Sequence, residues 1–306
     1  MKQFIIRRFG YSLLSLLVLS LTIFFFVRVT GDPATLLVEP GASDADIAAL
    51  HHQFGLDRPL VVQYLLFMAN LLRGDLGQSF YYQMPVVDLY MSRLPNSLLL
   101  AAVAMTFSLV VGIPTGMLAA VRVGTFWDSF GKLFTLLGLS LPSFFVGLLM
   151  ILFFSVYLGW LPSSGSGTAR HLIMPAFALG WYFAAAHMRL MRSAMLEVLG
   201  SEYIKLARLK GLPQALVIGK HALKNALTPV LTLAGINLVL MINVAVIVET
   251  VFAWPGVGRL LYEGVSFRDF PVVQGVVILG GAMIVVVNLL VDVLYAVIDP
   301  RIRLEG

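Results

Sequence analysis

Six stretches of this sequence run without Asp, Glu, Lys or Arg: Phe9–Val27, Asn96–Val121, Leu133–Ala169, His171–Met188, Asn225–Val248 and Phe270–Val291. A helix needs about 20 mostly apolar residues to cross a bilayer core. The runs are continuous rather than alternating, which predicts membrane helices and not a barrel. Leu133–Ala169 is too long for one helix. Pro142 is expected to bend it, and Gly159, Pro162 and the SSGSG run at 163–167 to end it. The expected fold class is an all-α integral membrane protein with six transmembrane helices.

Charge gives these helices a direction. With the N-terminus inside, fourteen of the 21 Lys and Arg residues fall on inner segments and six on outer ones, which predicts N-in, C-in. The net charge of +5 then lies mostly on the inner face, where anionic lipid headgroups suffice as its partner and nucleic acid is not required. Residues 1–30 read as an uncleaved anchor, since no small-x-small cleavage site follows the apolar run. Residues 31–95 form an extracytoplasmic segment, 96–298 a five-helix core with an inner loop at 192–229, and 299–306 a cytoplasmic tail.

The outer segment is too long for an idle connection. Ser43 or Asp44 can cap a helix over DADIAALHHQF that Gly55 ends. A second helix is expected over Pro59–Leu72, with Leu60, Gln63, Tyr64 and Phe67 on one face, followed by a turn at Gly74–Gly77. The adjacent His51 and His52 would point about 100° apart on a helix, which argues for solvated rings and against a metal pair.

The inner loop is the most informative stretch. Gly200 interrupts the helix continuing from the fourth run. Ser201 can cap a short helix with Glu202 in its first turn and Lys205, Arg208 and Lys210 toward its end, an order that suits the helix dipole. Gly211 is placed as the left-handed residue past that helix, and Pro213 opens the next. Ile204, Leu206 and Ala207 are expected to form its apolar face. Such a basic elbow either rests on headgroups or docks a cytoplasmic partner. A groove-reading helix–turn–helix is disfavoured, because both ends are tethered to spans.

Composition narrows the classes. Hydrophobic residues make up 59% of the chain and charged residues 12%, half the usual charged share of a soluble domain. Mean hydropathy is +0.91. A soluble enzyme is therefore excluded, and the lack of any Cys excludes a disulfide scaffold or a cysteine-ligated metal. No GxxxxGK[ST] loop, HExxH or strand-borne nucleophile elbow occurs. An ion-coupled carrier would show internal repeats and paired broken helices, and an intramembrane enzyme a cluster of ionisable or nucleophilic groups. Neither pattern stands out. Glu249 is expected at the outer end of the fifth run, reaching water or Arg259. Trp254 and the PGVG turn after it are expected at the membrane edge, Asn288 and Asp292 one turn apart on a packing face, and His187 and Arg189 against headgroups or the elbow.

SEYIKLARLKGLPQALVIGKHALKNALTP at 201–229 resembles the cytoplasmic Glu-Ala-Ala loop of ABC importer permeases, and most closely that of the dipeptide, oligopeptide, nickel and glutathione-type branch. The general pattern is EAA, three residues, G, nine residues, I-x-L-P. Here EAA falls on Lys205, Leu206 and Ala207, the glycine on Gly211, and the closing group on His221–Lys224; the His221–Ala226 run is the branch's own version. Gly31-Asp32-Pro33, GLDRPLVVQY (55–64), RGDLGQSF (73–80), LPSFFVGLL (141–149), IVETVFAWPGVGRLL (247–261) and DVLYAVIDPRIR (292–303) extend the likeness to the first of the two paired permeases.

The resemblance implies a MetI-like permease fold in the bacterial cytoplasmic membrane. It implies a homologous second permease, two cytoplasmic ATPase subunits and an extracytoplasmic substrate-binding protein as partners. ATP and Mg would be bound by the ATPases, with no cofactor or catalytic residue in this chain. Glu202, Tyr203, Lys205, Ala207, Arg208, Lys210, Gly211, His221 and Asn225 would form the ATPase-coupling loop, with Ala207 and Gly211 small so that the elbow fits a cleft.

Overall fold

A computed structural model describes residues 2–30, 52 and 57–298. Among these, regular structure is helical apart from one isolated bridge between Gln78 and Pro85. The helices are α1 (Lys2–Thr30), α2 (Leu60–Leu72), α3 (Val86–Val121), α4 (Phe126–Ser140), α5 (Ser143–Tyr157), α6 (Ala169–Leu199), α7 (Glu202–Leu209), α8 (Gln214–Val251), α9 (Val257–Ser266) and α10 (Phe270–Ile298). Four of them, α1, α3, α8 and α10, are long and apolar enough to cross a membrane. The α4–α5 pair is a fifth candidate, bent by 104°. The bend falls at Leu141-Pro142, as the sequence predicts, because proline removes a helical donor and clashes with the preceding turn. Side chains such as Val110, Leu136, Val156 and Leu290 remain more than 60% exposed. Lipid, not water, is the solvent that such a surface requires.

The chain divides into two compact units. The first takes in the described residues through Pro95 together with Arg259–Val286, the second Asn96–Gly258 together with those from 287 onward.

In the first unit, α2 lies on α1. Tyr64 Oη is 2.9 Å from Ser20 Oγ, and the Phe24 ring packs 5.3 Å from Tyr64 and 5.8 Å from Phe67. Gln63, Tyr64 and Phe67 face inward as expected. Leu60 does not: it is the first residue of the helix and is 48% exposed. Gly74 and Gly77 take φ of +79° and +80°, and Asp75 Oδ1 accepts the Gly77 N–H at 2.8 Å, forming the predicted turn. The chain then fastens onto α9 and the start of α10. Ser79 Oγ and the Tyr81 N–H both donate to Asp269 Oδ2, and Tyr81 stacks on Phe267 at 4.0 Å. Tyr82 donates to Glu263 Oε2 at 2.6 Å, and Arg259 Nε to Glu263 Oε1 at 2.8 Å. Burial, reinforced by the Glu263 carboxylate, pushes the Tyr82 phenol up to about 12.

In the second unit α6 is the hub: Met174, Leu179, Ala184, Met188, Met191 and Met195 along it are all buried. Its contact with α3 depends on missing side chains. A Cβ on Gly112 would lie 2.8 Å from the Ala184 carbonyl oxygen, one on Gly116 2.5 Å from that of Met188, and one on Gly180 2.7 Å from that of Ala104. Gly112-x-x-x-Gly116 is thus a small-residue seam of the kind that packs membrane helices.

Three expectations are corrected here. α3 starts at Val86, ten residues before the uncharged run at Asn96, because helix formation does not require an apolar sequence. His187 is fully buried, not at the headgroups. Asn237 Nδ2 lies 3.1 Å from its Nε2 and Ser108 Oγ 3.2 Å from its Nδ1. An amide nitrogen only donates, so Nε2 accepts, Nδ1–H donates to Ser108, and Ser108 donates to the Met105 carbonyl at 2.8 Å. This relay ties α3, α6 and α8.

The third correction concerns Glu249 and Trp254, which are both buried. Glu249 accepts Ser97 Oγ at 2.6 Å, so it does not reach water. Trp254 Nε1 donates to the Asn96 carbonyl at 3.0 Å, and Asn96 Nδ2 to that of Pro255 at 2.9 Å. The 254–258 turn is thereby stapled to α3, and Trp254 is not a membrane-edge anchor. His52 is exposed and sits 2.8 Å from Asp57, whose carboxyl it holds below the ordinary range. Asn288 is exposed. The expected 44–54 helix as a whole, His51, the Asp292 side chain and the 299–306 tail lie outside the described residues.

Candidate functional site

The elbow belongs to the second unit and forms where α6 stops. Ser201 occupies the N-cap position of α7 with extended backbone, but its hydroxyl donates back to the Val198 carbonyl at 2.6 Å rather than capping α7. Glu202 pairs with Lys205 at 2.7 Å one turn later. α7 ends at Leu209, and Gly211 follows at φ +77°, with its N–H on the Arg208 carbonyl at 2.9 Å. Both signals were legible in the sequence. Pro213 immediately precedes α8, whose residues Val217–Ala222 form a π-helical turn before regular α-helix resumes at Leu223.

One face of the elbow is anchored. Ile204 is fully buried in a cluster with Ala120 of α3, Met191 and Met195 of α6, and Val217, Ala222 and Ala226 of α8; Ala207 packs partly against it. The elbow is therefore gripped by the ends of three long helices. Leu206 is corrected: it is 53% exposed, because two residues from Ile204 is 200° around a helix. It joins Tyr203 (44% exposed) and Leu209 (84% exposed) in an outward stripe at three-residue spacing. Lys205, Arg208 and Lys210 flank that stripe and are exposed. Gly211 has open space where a Cβ would stand.

The structure also joins the two limbs. Asn225 Nδ2 donates to Tyr203 Oη at 2.7 Å across 22 residues, and to the His221 carbonyl at 3.1 Å. Thus Tyr203, His221 and Asn225 converge, while Glu202, Lys205, Arg208 and Lys210 stay on the surface. Ile204 and Ala207 stand on the apolar face the sequence reading gave them; it missed that this face anchors on α3, α6 and α8, and it missed the π turn. The 3.6-residue period carried the first signal; nothing in the sequence marked the second. Among the described residues, no three His, Asp or Glu side chains gather in a metal-binding group.

Known proteins are similar in sequence to this chain along almost its whole length. A family profile described as "binding-protein-dependent transport system inner membrane component" matches residues 112–304, and its N-terminal companion matches 1–101. The chain therefore belongs to the family of binding-protein-dependent inner-membrane transport components. It is the permease subunit of an ABC importer.

Among its relatives, a putative peptide permease protein of Brucella suis biovar 1 (strain 1330) is 41% identical over 317 residues, covering 99% of both chains. The glutathione transport system permease protein GsiC of Escherichia coli (strain K12) is 38% identical over 304 residues, again 99% of both. The oligopeptide transport system permease protein AppB of Bacillus subtilis (strain 168) is 40% identical over 316 residues, 99% of this chain and 100% of that one. Two solved structures share the fold. An inward-facing form of the MetNI methionine ABC transporter aligns with TM-score 0.55 at 20% identity over 69% of this chain and 96% of that one. An amino acid ABC transporter with histidines aligns with TM-score 0.55 at 16% identity over 68% and 94%.

Proposed function

We propose that this permease forms half of a translocation pathway for peptides or glutathione-like solutes, and that its elbow transmits the stroke of a cytoplasmic ATPase. The observation that carries the coupling role is the two-sidedness of α7. Ile204 is locked among the ends of α3, α6 and α8, while Tyr203, Leu206 and Leu209 face outward beside basic residues. A push on the outward stripe must move three long helices, because close-packed interiors transmit displacement. The coupling set is Glu202, Tyr203, Lys205, Ala207, Arg208, Lys210, Gly211, His221 and Asn225.

The chain crosses the membrane six times, with α6 completing the count beyond the five apolar candidates, and both termini face the cytoplasm. That orientation rests on the excess of Lys and Arg on the elbow side. A homologous second permease completes the pathway, two ATPase subunits bind ATP and Mg, and an extracytoplasmic binding protein delivers cargo to the opposite face. The peptide and glutathione class is that of the relatives named above.

The test is substrate-stimulated ATP hydrolysis by the assembled complex carrying Gly211→Glu. A side chain at φ +77° costs about 1–2 kcal/mol of local strain, which Gly211→Ala shares. Gly211→Glu adds a carboxylate to the docking surface. Membrane insertion with lost ATPase capture in Gly211→Glu, and retained capture in Gly211→Ala, is expected. Normal stimulated hydrolysis in Gly211→Glu would remove the coupling role.

A further inference from the structure

A cleft of about 500 Å³ opens between α4 and α6. Leu136 and Leu139 form an apolar wall, and Lys132, Arg189 and Arg192 bring positive charge to it, with the Ser193 hydroxyl beside them. Among the described residues, one carboxylate answers this charge. Asp128, 1% exposed, takes Arg192 Nη2 and Nε on Oδ1, each at 2.8 Å, and Lys132 Nζ on Oδ2 at 2.9 Å. It also accepts the Gly124 N–H at 3.1 Å. Its lone pairs are thus occupied, and the cluster of three cations and one anion keeps a positive excess. Arg189 is exposed and, among the described residues, has no carboxylate partner.

The cleft lies toward the elbow end of both helices. Lys132 is in the second turn of α4, just after the Gly124–Thr125 turn, and Arg189–Ser193 precede the end of α6 at Leu199 by two to three turns. Its apolar wall is continuous with outward-facing leucines: Leu133 is 54% exposed, Leu136 63% and Leu137 41%. Such a site matches a molecule with a negative head and an apolar body lying along a helix pair. A small soluble anion would leave the leucine wall uncovered. Long basic side chains reach the headgroup layer while their stems stay in the apolar one, and basic pockets between membrane helices on the cytoplasmic side are suited to anionic headgroups.

We propose that this cleft binds an anionic phospholipid of the inner leaflet. Arg189 takes the phosphate, with Lys132 and Arg192 behind it, and an acyl chain runs along Leu136 and Leu139. The bound lipid would link α4 to α6 a few turns from the elbow. The proposal rests on the elbow facing the cytoplasm.

Native mass spectrometry of the full-length chain, purified with its accompanying subunits and titrated with phosphatidylglycerol or phosphatidylcholine, tests it. Preferential retention of phosphatidylglycerol is expected, weakened about five-fold by Arg189→Gln and restored by Arg189→Lys. Equal retention of the two lipids, unchanged retention in Arg189→Gln, or displacement of phosphatidylglycerol by a free acidic dipeptide would each overturn it. The readout needs no ATP hydrolysis, so its failure is distinguishable from a failure of ATPase coupling.

Discussion

His187 illustrates how far a single residue's role depends on partners distant in the sequence. Ser108 and Asn237 are 79 and 50 residues away, and only the packed helices bring them to its two ring nitrogens. The linear pattern placed His187 at the end of an apolar run and therefore near headgroups, which was wrong. That this helix runs on to Gly200 was expected and holds, but periodicity alone did not reveal that α6 is a buried hub. The reading that Glu249 reaches water failed for the same reason: Ser97, which donates to it, is 152 residues away. His187→Ala leaves the Asn237 amide and the Ser108 hydroxyl without their ring partner, at a cost of about 1–3 kcal/mol. The midpoint of thermal unfolding of the detergent-purified chain should fall accordingly; an unchanged midpoint would show that the relay carries no stability. Tyr82 gives a pH signature. Its phenol is raised from 10.0 to about 12 in the fold, so the stabilisation it contributes is complete below pH 10 and lost as pH rises through about 12. Tyrosinate absorbance should show a late-titrating phenol that Tyr82→Phe removes.

Element boundaries were more legible where backbone chemistry sets them. Pro142 breaks α4 from α5, Gly200 ends α6, and Gly211 takes the left-handed conformation that terminates α7. Gly200 sits at φ −82°, an ordinary right-handed backbone, but Pro142 and Gly211 act through their own dihedrals, and that information is local. Long-range packing is not. The Gly112–Gly116 seam is written in the sequence as GIPTG, yet its meaning depends on Ala184 and Met188 lying opposite. Gly116→Val would put a branched side chain against the Met188 carbonyl and Met191 Cβ, 2.5 and 2.8 Å from the Cβ position. Overpacking of this kind costs about 1–3 kcal/mol. The variant should melt earlier or be recovered poorly from membranes, while a wild-type melting curve would mean that α3 and α6 separate without cost.

At the scale of the whole molecule, two polar features besides the Ser97–Glu249 pair interrupt the apolar packing among the described residues of the second unit. One is the His187 relay, lying between an upper core around Leu179 and Met241 and a lower one around Met195 and Ile204. The other is the Asp128 cluster. The lower core joins α7 to α3, α6 and α8, which is the packing that the proposed coupling role requires. The sequence pattern reached the class of this molecule through its uncharged runs and the 201–229 loop. It did not reach the anchoring of the elbow, which needs Ala120, Met191 and Val217 in one place.

Because the chain has no native Cys, a single probe at Leu209, 84% exposed on the elbow, reports on that surface alone. Leu209→Cys carrying a short photoreactive cross-linker, activated in the assembled transporter, should form its adduct with an ATPase subunit and only from the cytoplasmic face. Adducts with lipid alone, or labelling from outside intact cells, would contradict the account.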